Sequence, residues 1–369
     1  MNETPAAKTI IISGVNLVEA GPLAVFKDCL NNIRQRKSEE LTVIALVNST
    51  ALFSEFSNSN IIFIEYPEVK KRWFSRLVFE YYTCIDISKK HKPDVWLALH
   101  DITPNVVAKK RIVYCHNPSP FYKISLREAL LEKSFFAFNL LYKFLYGINI
   151  QKNDFVVVQQ SWIRDYFIKQ YHVKNVIVAY PNVNVTAPRS KGLQQQKTTY
   201  RFLYPAFPRV FKNFELLFEA ADQLQNAIPN FEIIVTFKGN ENKYASHLLK
   251  KYGHITQIKF IGIQPRENVY KLYEECDCLV FPSKLETWGL PITEMKAYNK
   301  PIMVADCQYA HETVGFYDKA CFFDPTKHIY LTKLMQNAIN NTLVYNKTAF
   351  TLPKEPFTQS WQQLFDYFL

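Results

Sequence analysis

The sequence is short of glycine: only 9 of its 369 residues are glycine. Each glycine position is therefore more informative than in an average chain, where about 7% of residues are glycine. The first apolar run, Thr9–Ser13, is followed by Gly14, but no further glycines stand at the spacing G-x-G-x-x-G. This absence excludes the fingerprint of dinucleotide-binding folds at that position.

Cysteine patterns are also missing. The 7 cysteines are odd in number, scattered along the chain and contain no C-x-x-C pair. The sequence therefore predicts neither a disulfide framework nor a zinc site. Cys276 and Cys278 alternate along a predicted strand and are interpreted as small buried hydrophobic residues. This use of cysteine fits a reducing cytoplasm.

No stretch is long and apolar enough to cross a bilayer. The longest one, Phe135–Ile148, is interrupted by Asn139 and Lys143, whereas a spanning helix needs about 20 predominantly apolar residues. The first residues, MNETPAAKTIIISG, lack a basic segment followed by a long apolar core, so no signal peptide is predicted. We expect a cytoplasmic protein.

The charge is positive and uneven. The net charge is +11; residues 1–190 hold 24 Lys and Arg against 16 Asp and Glu, and the remaining residues hold 20 against 17. The first half therefore favours an anionic partner, such as a phospholipid surface or an anionic glycolipid, with unselected surface charge as the alternative. Nucleic acid is not expected, because no basic-aromatic recognition motif stands out.

Two segments concentrate basic and aromatic residues. One is KKRWF at Lys70–Phe74, and the other is residues 123–151, a predicted helical stretch rich in Phe and Leu with flanking Lys and Arg. A helix of this composition can lie in a membrane interface, here the inner face of an anionic membrane. Its apolar residues cover more than one stripe, so a helix packed in the protein core is the alternative.

Short apolar runs alternate with helical and loop segments along the whole chain. Runs that are apolar at every position are typical of parallel strands buried on both faces. Their alternation with helices predicts an α/β fold of two doubly wound domains. The polar stretch TAPRSKGLQQQKTT separates them. We assign an N-terminal domain to residues 1–185, a linker to 186–199 and a C-terminal domain to 200–355. The predicted strands are Thr9–Ser13, Leu41–Val47, Ile61–Ile64, Val95–Leu99, Arg111–Cys115, Phe155–Val158, Asn175–Ala179, Tyr200–Tyr204, Phe231–Thr236, Ile258–Ile261, Cys278–Phe281 and Ile302–Ala305.

Three positions in the first half stand where ligands bind in open parallel sheets, beyond the carboxyl ends of the strands. His116 directly follows the predicted strand RIVYC, and His100 ends the preceding run in the same way. Gly21 precedes Pro22 at the start of the first predicted helix. It either lets the backbone approach a phosphate or forms a plain turn.

The stretch Phe281–Asp306, FPSKLETWGLPITEMKAYNKPIMVAD, predicts a strand end, a tight turn, a helix and another strand. Glu286 precedes the turn, and Glu294 lies about one turn into the helix. The helix start between them offers unpaired N–H groups and a partial positive charge, which suit a diphosphate. Each carboxylate can accept hydrogen bonds from sugar hydroxyls, worth about 1.5–3 kcal/mol each. The alternative is that Glu286 caps a turn and Glu294 is a solvated helix residue.

The pattern F-P-S-x-x-E-x-x-G-L-P-x-x-E closely resembles the E-x7-E signature of retaining glycosyltransferases of family 4. FLYPAFPRVFKN resembles that family's strand, loop and Lys-Asn. IKFIGIQPRENVYKLYEECDCLVFPS resembles the run that leads to its motif, and VVVQQSWIRDYF with the following YPNV resembles the end of its acceptor domain. His116 matches the family's His, and FFDP at Phe322–Pro325 fits as well. The resemblance is strongest from Phe202 to Pro325.

This resemblance implies a GT-B fold, in which two doubly wound domains face a cleft and the C-terminal residues 356–369 return to the first domain as a helix. The donor, a nucleotide-diphosphate sugar, then sits on the second domain. A glycan or lipid-linked glycan acceptor sits on the first. The anomeric configuration is retained, and the expected process is synthesis of a cell-surface polysaccharide. No metal or cofactor is implied, and the sequence contains no D-x-D pair.

The resemblance also implies residue roles. Glu286, His116 and Lys212 are the expected catalytic residues. Glu286 orients the donor sugar, His116 lies near the reacting sugar, and Lys212 with Arg209 stabilises the departing diphosphate. Glu294 is expected to hold the ribose. The expected donor-binding residues are Arg209, Lys212, Gly262, Ile263, Thr287, Gly289, Leu290 and Glu294.

Three positions depart from the family pattern. Phe207 stands where the family has an arginine that touches the diphosphate, and Arg209 is the nearby residue that can replace its charge. Thr287 replaces a glycine after the first glutamate, and Ala20 replaces the first of two adjacent glycines.

Two other functions stay open: another enzyme of this fold, such as a sugar-nucleotide epimerase or a phosphorylase, and a non-catalytic protein that binds anionic surfaces.

Overall fold

The chain forms two compact units, which differ from continuous halves of the sequence. The computed structural model describes residues 8–18, 20–36, 41–57, 59–182, 199–347 and 350–369. Unit 1 comprises Met1–Asn117, Leu141–Asn182 and Pro353–Leu369, and unit 2 comprises Pro118–Leu140 and Val183–Leu352. The predicted linker, 186–199, lies outside the described residues except at its last position.

Each unit is built on one parallel sheet. Unit 1 contains an 8-stranded sheet in the order β14-β7-β6-β5-β4-β1-β2-β3, and unit 2 contains a 6-stranded sheet in the order β10-β9-β8-β11-β12-β13. These sheets confirm the predicted α/β class with two Rossmann-like units. The strands are β1 (Lys8–Ser13), β2 (Leu41–Val47), β3 (Ile61–Glu65), β4 (Val95–Ala98), β5 (Lys110–Cys115), β6 (Phe155–Val158), β7 (Val176–Ala179), β8 (Tyr200–Tyr204), β9 (Phe231–Val235), β10 (Ile258–Phe260), β11 (Cys278–Phe281), β12 (Ile302–Ala305), β13 (Ala320–Phe323) and β14 (Phe357–Thr358).

Helices connect the strands, as parallel pairing requires. Among the described residues, no helix is long and apolar enough to cross a membrane. The helices are α1 (Ala20–Gln35), α2 (Trp73–Val78), α3 (Cys84–His91), α4 (Leu126–Leu131), α5 (Lys133–Gly147), α6 (Ser161–Tyr171), α7 (Phe214–Gln225), α8 (Lys243–Tyr252), α9 (Arg266–Glu275), α10 (Leu290–Ala297), α11 (Gln308–Val314), α12 (His328–Ile339) and α13 (Trp361–Asp366).

The C-terminal residues complete unit 1 with both a strand and a helix. Strand β14 pairs in parallel with β7, so that Phe357 lies opposite Val178. Helix α13 then buries Trp361 and Phe365 in the core of unit 1. The Trp361 ring stacks on Tyr114, with ring centroids 5.6 Å apart. This contact places a late segment of the chain beneath the centre of the sheet that carries His116.

The segment Pro118–Leu140 groups with unit 2, although the sequence assigned it to a continuous N-terminal domain. The predicted helical stretch 123–151 is also divided: α4 ends at Leu131, and α5 begins at Lys133. Glu132 stands between them with φ −130° and ψ 70°, outside helical geometry. The Glu132 side chain accepts hydrogen bonds from Arg209 and from the backbone N–H of Val210, away from the helix.

Candidate functional site

The centre of the unit 2 sheet is a topological switch point. Strand β8 lies between β9 and β11, so the strand order changes direction between β8 and β11. In sheets of this kind a crevice opens beyond the carboxyl ends of the two strands, and ligands bind there. The loop from Pro205 to Asn213 follows β8, and the loop from Pro282 to Gly289 follows β11. Both loops carry residues that the sequence singled out.

The two loops are tied to each other by hydrogen bonds. The backbone N–H of Lys284 donates to the carbonyl of Phe211 over 2.8 Å. The Asn213 side-chain amide donates to the carbonyls of Pro282 at 3.2 Å and Pro325 at 3.0 Å. Asn213 has φ 57° and ψ 43°, a left-handed conformation that Asn tolerates better than most residues. The switch point is therefore a fixed arrangement of two loops.

Lys212 and Glu286 meet at this point. The Lys212 ammonium donates a hydrogen bond to Glu286 Oε1, and both side chains are partly buried. The Tyr204 hydroxyl donates to the Lys212 carbonyl over 2.9 Å, which fixes the backbone beneath the side chain. The Lys212 ammonium also lies 5.7 Å from the centre of the Phe281 ring. The structure thus brings together two of the three predicted catalytic residues.

The start of α10 lies on the same loop. Gly289, with φ 85° and ψ 61°, precedes the helix. An added Cβ there would stand 3.2 Å from Ile292 Cδ1, besides requiring a left-handed backbone. Leu290 is the first helical residue, and Pro at the next position is compatible with a first turn. Thr287 is partly buried beside this turn. The unpaired N–H groups of a helix start are a suitable site for a phosphate.

Glu294 is buried and already holds two partners. Arg266 Nη2 donates to Glu294 Oε1 at 2.9 Å, and the Tyr273 hydroxyl donates to Oε2 at 2.7 Å. Burial raises the pKa of Tyr273, and the nearby Glu294 carboxylate raises it further. A carboxylate offers about four lone-pair positions, so Glu294 can accept further hydrogen bonds; its role in holding a ribose stays a prediction. Glu294 is therefore not the solvated helix residue of the alternative interpretation.

Sequence reasoning missed Arg266 and Tyr273. Both belong to α9, the helix that follows β10 and the turn at Gly262. Their spacing was a weak indication: Arg266 and Tyr273 lie seven positions apart, which places them on one face of a helix. Nothing in the sequence paired them with a glutamate more than 20 positions further on.

Gly262 and Ile263 occupy the turn between β10 and α9. Gly262 is buried and has φ 83°, and a Cβ at this position would approach Lys238 Cε to 2.8 Å. Ile263 beside it is exposed. Only glycine adopts this backbone without strain in so close a space. The role of both residues in holding a donor stays a prediction.

Arg209 has a partner that the sequence did not indicate. Its Nη1 donates to Glu132 Oε1 at 2.9 Å, and its guanidinium lies 5.6 Å from the centre of the Phe207 ring. Glu132 belongs to the segment Pro118–Leu140 of the same unit. Arg209 was expected to supply the positive charge of the arginine that is missing at position 207. In this structure the buried carboxylate of Glu132 neutralises that charge.

His116 lies in unit 1, at the carboxyl end of β5. Its backbone N–H donates to Asp101 Oδ1 at 2.7 Å, and its Nε2 is 3.8 Å from Asp101 Oδ2. The Tyr146 hydroxyl also donates to Asp101 Oδ1, at 3.0 Å. Burial lowers the pKa of His116 below its ordinary 6.5, and the Asp101 carboxylate partly opposes this effect. This shift favours the uncharged form of the His116 ring.

His100 is enclosed by polar partners in the interior of unit 1, and Gly21 lies in the first turn of a helix. His100 is buried, with Nδ1 2.9 Å from Glu80 Oε1 and Nε2 3.1 Å from the Ser13 hydroxyl. Arg76 donates to the His100 carbonyl at 2.6 Å. These contacts make His100 part of the interior beneath the carboxyl end of β1. Gly21 lies in the first turn of α1 and is partly buried; its contact with a phosphate stays a prediction.

Residues 188–349 match the family model of glycosyl transferases group 1. The match covers most of unit 2 and includes both loops of the switch point. No curated protein matches the sequence.

Solved structures extend the comparison to the whole chain. A glycosyltransferase from Rickettsia africae superposes with a TM-score of 0.66 at 16% identity, over 90% of this chain and 88% of that one. WaaG, a glycosyltransferase involved in lipopolysaccharide biosynthesis, gives 0.67 at 14% identity, over 90% of each chain. Anabaena HepE in complex with UDP and glucose gives 0.61 at 14% identity, over 91% and 90%. The fold and the matched domain together support a glycosyltransferase with the GT-B fold.

Proposed function

We propose that the protein is a retaining glycosyltransferase of family 4. It transfers a sugar from a nucleotide-diphosphate sugar to a glycan or lipid-linked glycan acceptor, in the synthesis of a cell-surface polysaccharide. The observation that carries the proposal is the contact of Lys212 with Glu286 beside the start of α10. A cation, a carboxylate and a helix start, gathered at a switch point, match the diphosphate and sugar of such a donor.

The proposed chemistry assigns a task to each group. The bond between the anomeric carbon and the donor phosphate oxygen breaks, and a bond from the acceptor oxygen forms on the same face. The acceptor proton passes to the departing phosphate oxygen. Lys212 and the N–H groups of α10 stabilise the negative charge on the diphosphate. Glu286 holds the sugar hydroxyls, and Glu294 holds the ribose. No metal or cofactor is required in this scheme.

The ligands of the structural neighbours support this donor class. HepE has been solved in complex with UDP and with UDP and glucose. WaaG is described as acting in lipopolysaccharide biosynthesis and WaaB as a lipopolysaccharide outer core galactosyltransferase. These descriptions favour a nucleoside-diphosphate donor and a glycolipid acceptor for the present chain.

The test is a panel of UDP-, GDP- and ADP-sugars, screened by thermal shift and then by turnover with lipid-linked acceptors. When its concentration is 100 times its dissociation constant, the true donor should raise the free energy of unfolding by about 2.7 kcal/mol. The product linkage should keep the anomeric configuration of the donor when it is examined by NMR. An inverted product removes the retaining mechanism. Isomerised donor without acceptor indicates an epimerase, and phosphate-dependent cleavage indicates a phosphorylase. The absence of any shift removes the donor site.

A basic-apolar surface on unit 1 supports contact with an anionic membrane. The Phe74 and Phe144 side chains are 76% and 71% exposed. They belong to α2 and α5, which pack together through Trp73 and Tyr142, whose ring centroids are 5.6 Å apart. Exposed basic residues accompany both helices, namely Lys70, Lys71, Arg72 and Lys143. The segment Lys70–Phe74 and the later part of α5, from Leu141 to Gly147, thus meet on unit 1, and the earlier part of the second segment belongs to unit 2.

This surface fits an anionic bilayer better than a protein partner, because exposed aromatics beside several cations suit both acyl chains and phosphate headgroups. The alternative interpretation of the sequence, a helix packed in the protein core, applies only to the opposite face of α5. The buried residues of that face are Phe135, Tyr142, Leu145 and Tyr146. A lipid-linked acceptor is consistent with such a surface. Membrane contact is therefore part of the proposed function.

Vesicle flotation tests this contact. The wild type should float with vesicles that contain anionic phospholipid at low salt and should dissociate at 1 M salt, where charges are screened beyond about 3 Å. Phe144→Ser should lower the partition coefficient about tenfold, because a phenylalanine leaves the apolar layer. Phe316→Ser changes a similar side chain, 73% exposed, on unit 2 and should have no effect. Failure of the wild type to float at low salt refutes membrane contact.

A further inference from the structure

Glu132 is a buried carboxylate with both oxygens in use, far in sequence from the loops of the candidate site. Its side chain is 5% exposed. Oε1 accepts from Arg209 Nη1 at 2.9 Å, and Oε2 accepts from the backbone N–H of Val210 at 2.8 Å. A buried carboxylate is costly unless it is paired and hydrogen-bonded. In the described part of the chain, Glu132 meets both conditions through the loop that follows β8.

The bond to Val210 falls at the start of a short turn. A 3-10 turn spans Val210–Lys212, and Arg209 precedes it with extended backbone, without a side-chain cap of its own. The first N–H groups of a helical turn have no partner within the turn. Glu132 supplies the acceptor from another segment, in the role that a capping side chain usually performs. The turn ends at Lys212, whose ammonium contacts Glu286.

Aromatic packing reinforces this attachment. Phe211 lies in the same turn, and its ring centroid is 5.2 Å from that of Phe135 and 6.1 Å from that of Tyr122. The Tyr122 hydroxyl donates to Glu128 Oε1 at 2.6 Å, and Lys284 Nζ lies 3.5 Å from the same oxygen. The segment Pro118–Leu140 therefore contacts both loops of the switch point.

We propose that Glu132 is a positioning residue for the donor site: it fixes the Arg209–Lys212 turn so that the Lys212 ammonium stays beside Glu286. In this arrangement Arg209 does not contact the diphosphate. It contributes to donor binding indirectly, because its hydrogen bond to Glu132 helps to fix the conformation of the loop. This inference rests on the proposed function for its effect on the donor. Its structural part, the immobilisation of the turn, does not depend on that function.

The chemistry favours positioning over competition for Arg209. If Glu132 only occupied Arg209 until a donor arrived, a single bond to the guanidinium would suffice. The second hydrogen bond comes from the backbone N–H of Val210. A diphosphate bound to Lys212 does not break this bond, so the bond persists when the donor is present. Loss of the carboxylate would leave the buried Val210 N–H and the Arg209 guanidinium without this acceptor.

The experiment compares Glu132→Gln with the wild type, alone and combined with Lys212→Ala. Calorimetry with UDP, GDP and ADP identifies the nucleotide that the wild type binds. Glu132→Gln should raise the dissociation constant of that nucleotide about tenfold, equivalent to 1.4 kcal/mol. In the Lys212→Ala background it should have no further effect, because the positioned group is gone. Equal losses in both backgrounds, or tighter binding by Glu132→Gln, overturn the proposal.

Hydrogen exchange gives a second readout that does not depend on a donor. The Val210 amide and the turn through Asn213 should exchange faster in Glu132→Gln than in the wild type. Unchanged exchange overturns the proposal, whatever the nucleotide does. If the wild type binds none of the three nucleotides while exchange still increases, the proposed function fails and the positioning of the turn stands.

A matched control lies on the same segment. Glu128→Gln alters a carboxylate that accepts from Tyr122 and from the Ser125 hydroxyl, at 2.6 and 2.9 Å. It loosens the start of α4 and weakens the contact of Glu128 with Lys284, but it leaves both hydrogen bonds that Glu132 accepts from the turn. Its effect on nucleotide affinity should be much smaller than that of Glu132→Gln. An equal effect in the control means that general loosening of the segment explains the loss, and the proposal fails.

Discussion

Lys212→Ala is expected to lower kcat/KM about 10²–10³-fold, since the removal of one preorganised electrostatic group from a transition state has this magnitude. Lys212 is the described cation that contacts Glu286 at the switch point, and Arg209 is occupied by Glu132. Negative charge grows on the diphosphate as the donor bond breaks, so the loss should fall mainly on kcat. Steady-state kinetics with the donor identified in the panel measures it.

Lys327→Ala provides the control for this variant. Lys327 is an exposed lysine of the same unit, 3.7 Å from Asp324, and its replacement should leave kcat/KM unchanged. Glu286→Gln adds a further comparison, because residues that act as a pair give non-additive effects. The double variant should be little worse than the more damaged single variant. Near-wild-type turnover by Lys212→Ala and Glu286→Gln contradicts the site assignment.

Trp361→Ala is expected to destabilise unit 1 by about 3–5 kcal/mol, the usual cost of removing a large buried aromatic side chain. Trp361 stacks on Tyr114 and packs on Phe365 within the core. The change leaves a cavity beneath the centre of an 8-stranded sheet. A loss of this size is a large part of the total stability of a domain, about 5–15 kcal/mol. Denaturant unfolding followed by circular dichroism measures the loss.

The neighbouring residue offers a matched control. Gln362 is exposed on the same helix, α13, and Gln362→Ala should change stability by less than about 0.5 kcal/mol. Two units can unfold separately, so the two transitions should be fitted independently. A loss below about 1 kcal/mol in Trp361→Ala means that α13 is not integral to the core of unit 1.

The sequence predicted twelve of the fourteen described strands, because most of the strands are buried on both faces. The twelve predicted strands are mostly apolar, and their observed bounds differ from the predicted ones by at most one residue at either end, as for β4 and β10. Strand β13 was not predicted. The stretch Phe281–Asp306 was equally clear, since a strand, a glycine turn and a helix follow without interruption. Local pattern and tertiary environment agree at these positions, so periodicity alone identifies the elements.

The remaining features depend on contacts between distant segments. The helical pattern of residues 123–151 continues through Glu132, and the interruption there becomes understandable only from the contacts of Glu132 with Arg209 and with the buried Val210. In the same way, Arg266 and Tyr273 acquire meaning only beside Glu294. A pairwise contact between charged residues leaves no periodic signal in a single sequence. Strand β14, with two residues, is too short for any pattern to predict.

The pairing of β14 with β7 determines the order in which the units can fold during synthesis. Phe357 and Thr358 form the outermost strand of the unit 1 sheet, next to Val178 and Ala179. Until residues 353–369 have left the ribosome, β7 is an unpaired edge, and the Trp361 site in the core is empty. All residues of unit 2 precede them in the chain. Although domains usually fold in N-terminal order, here the second unit in the sequence can finish first. Until β14 arrives, the free edge of β7 is open to pairing with a strand of another chain.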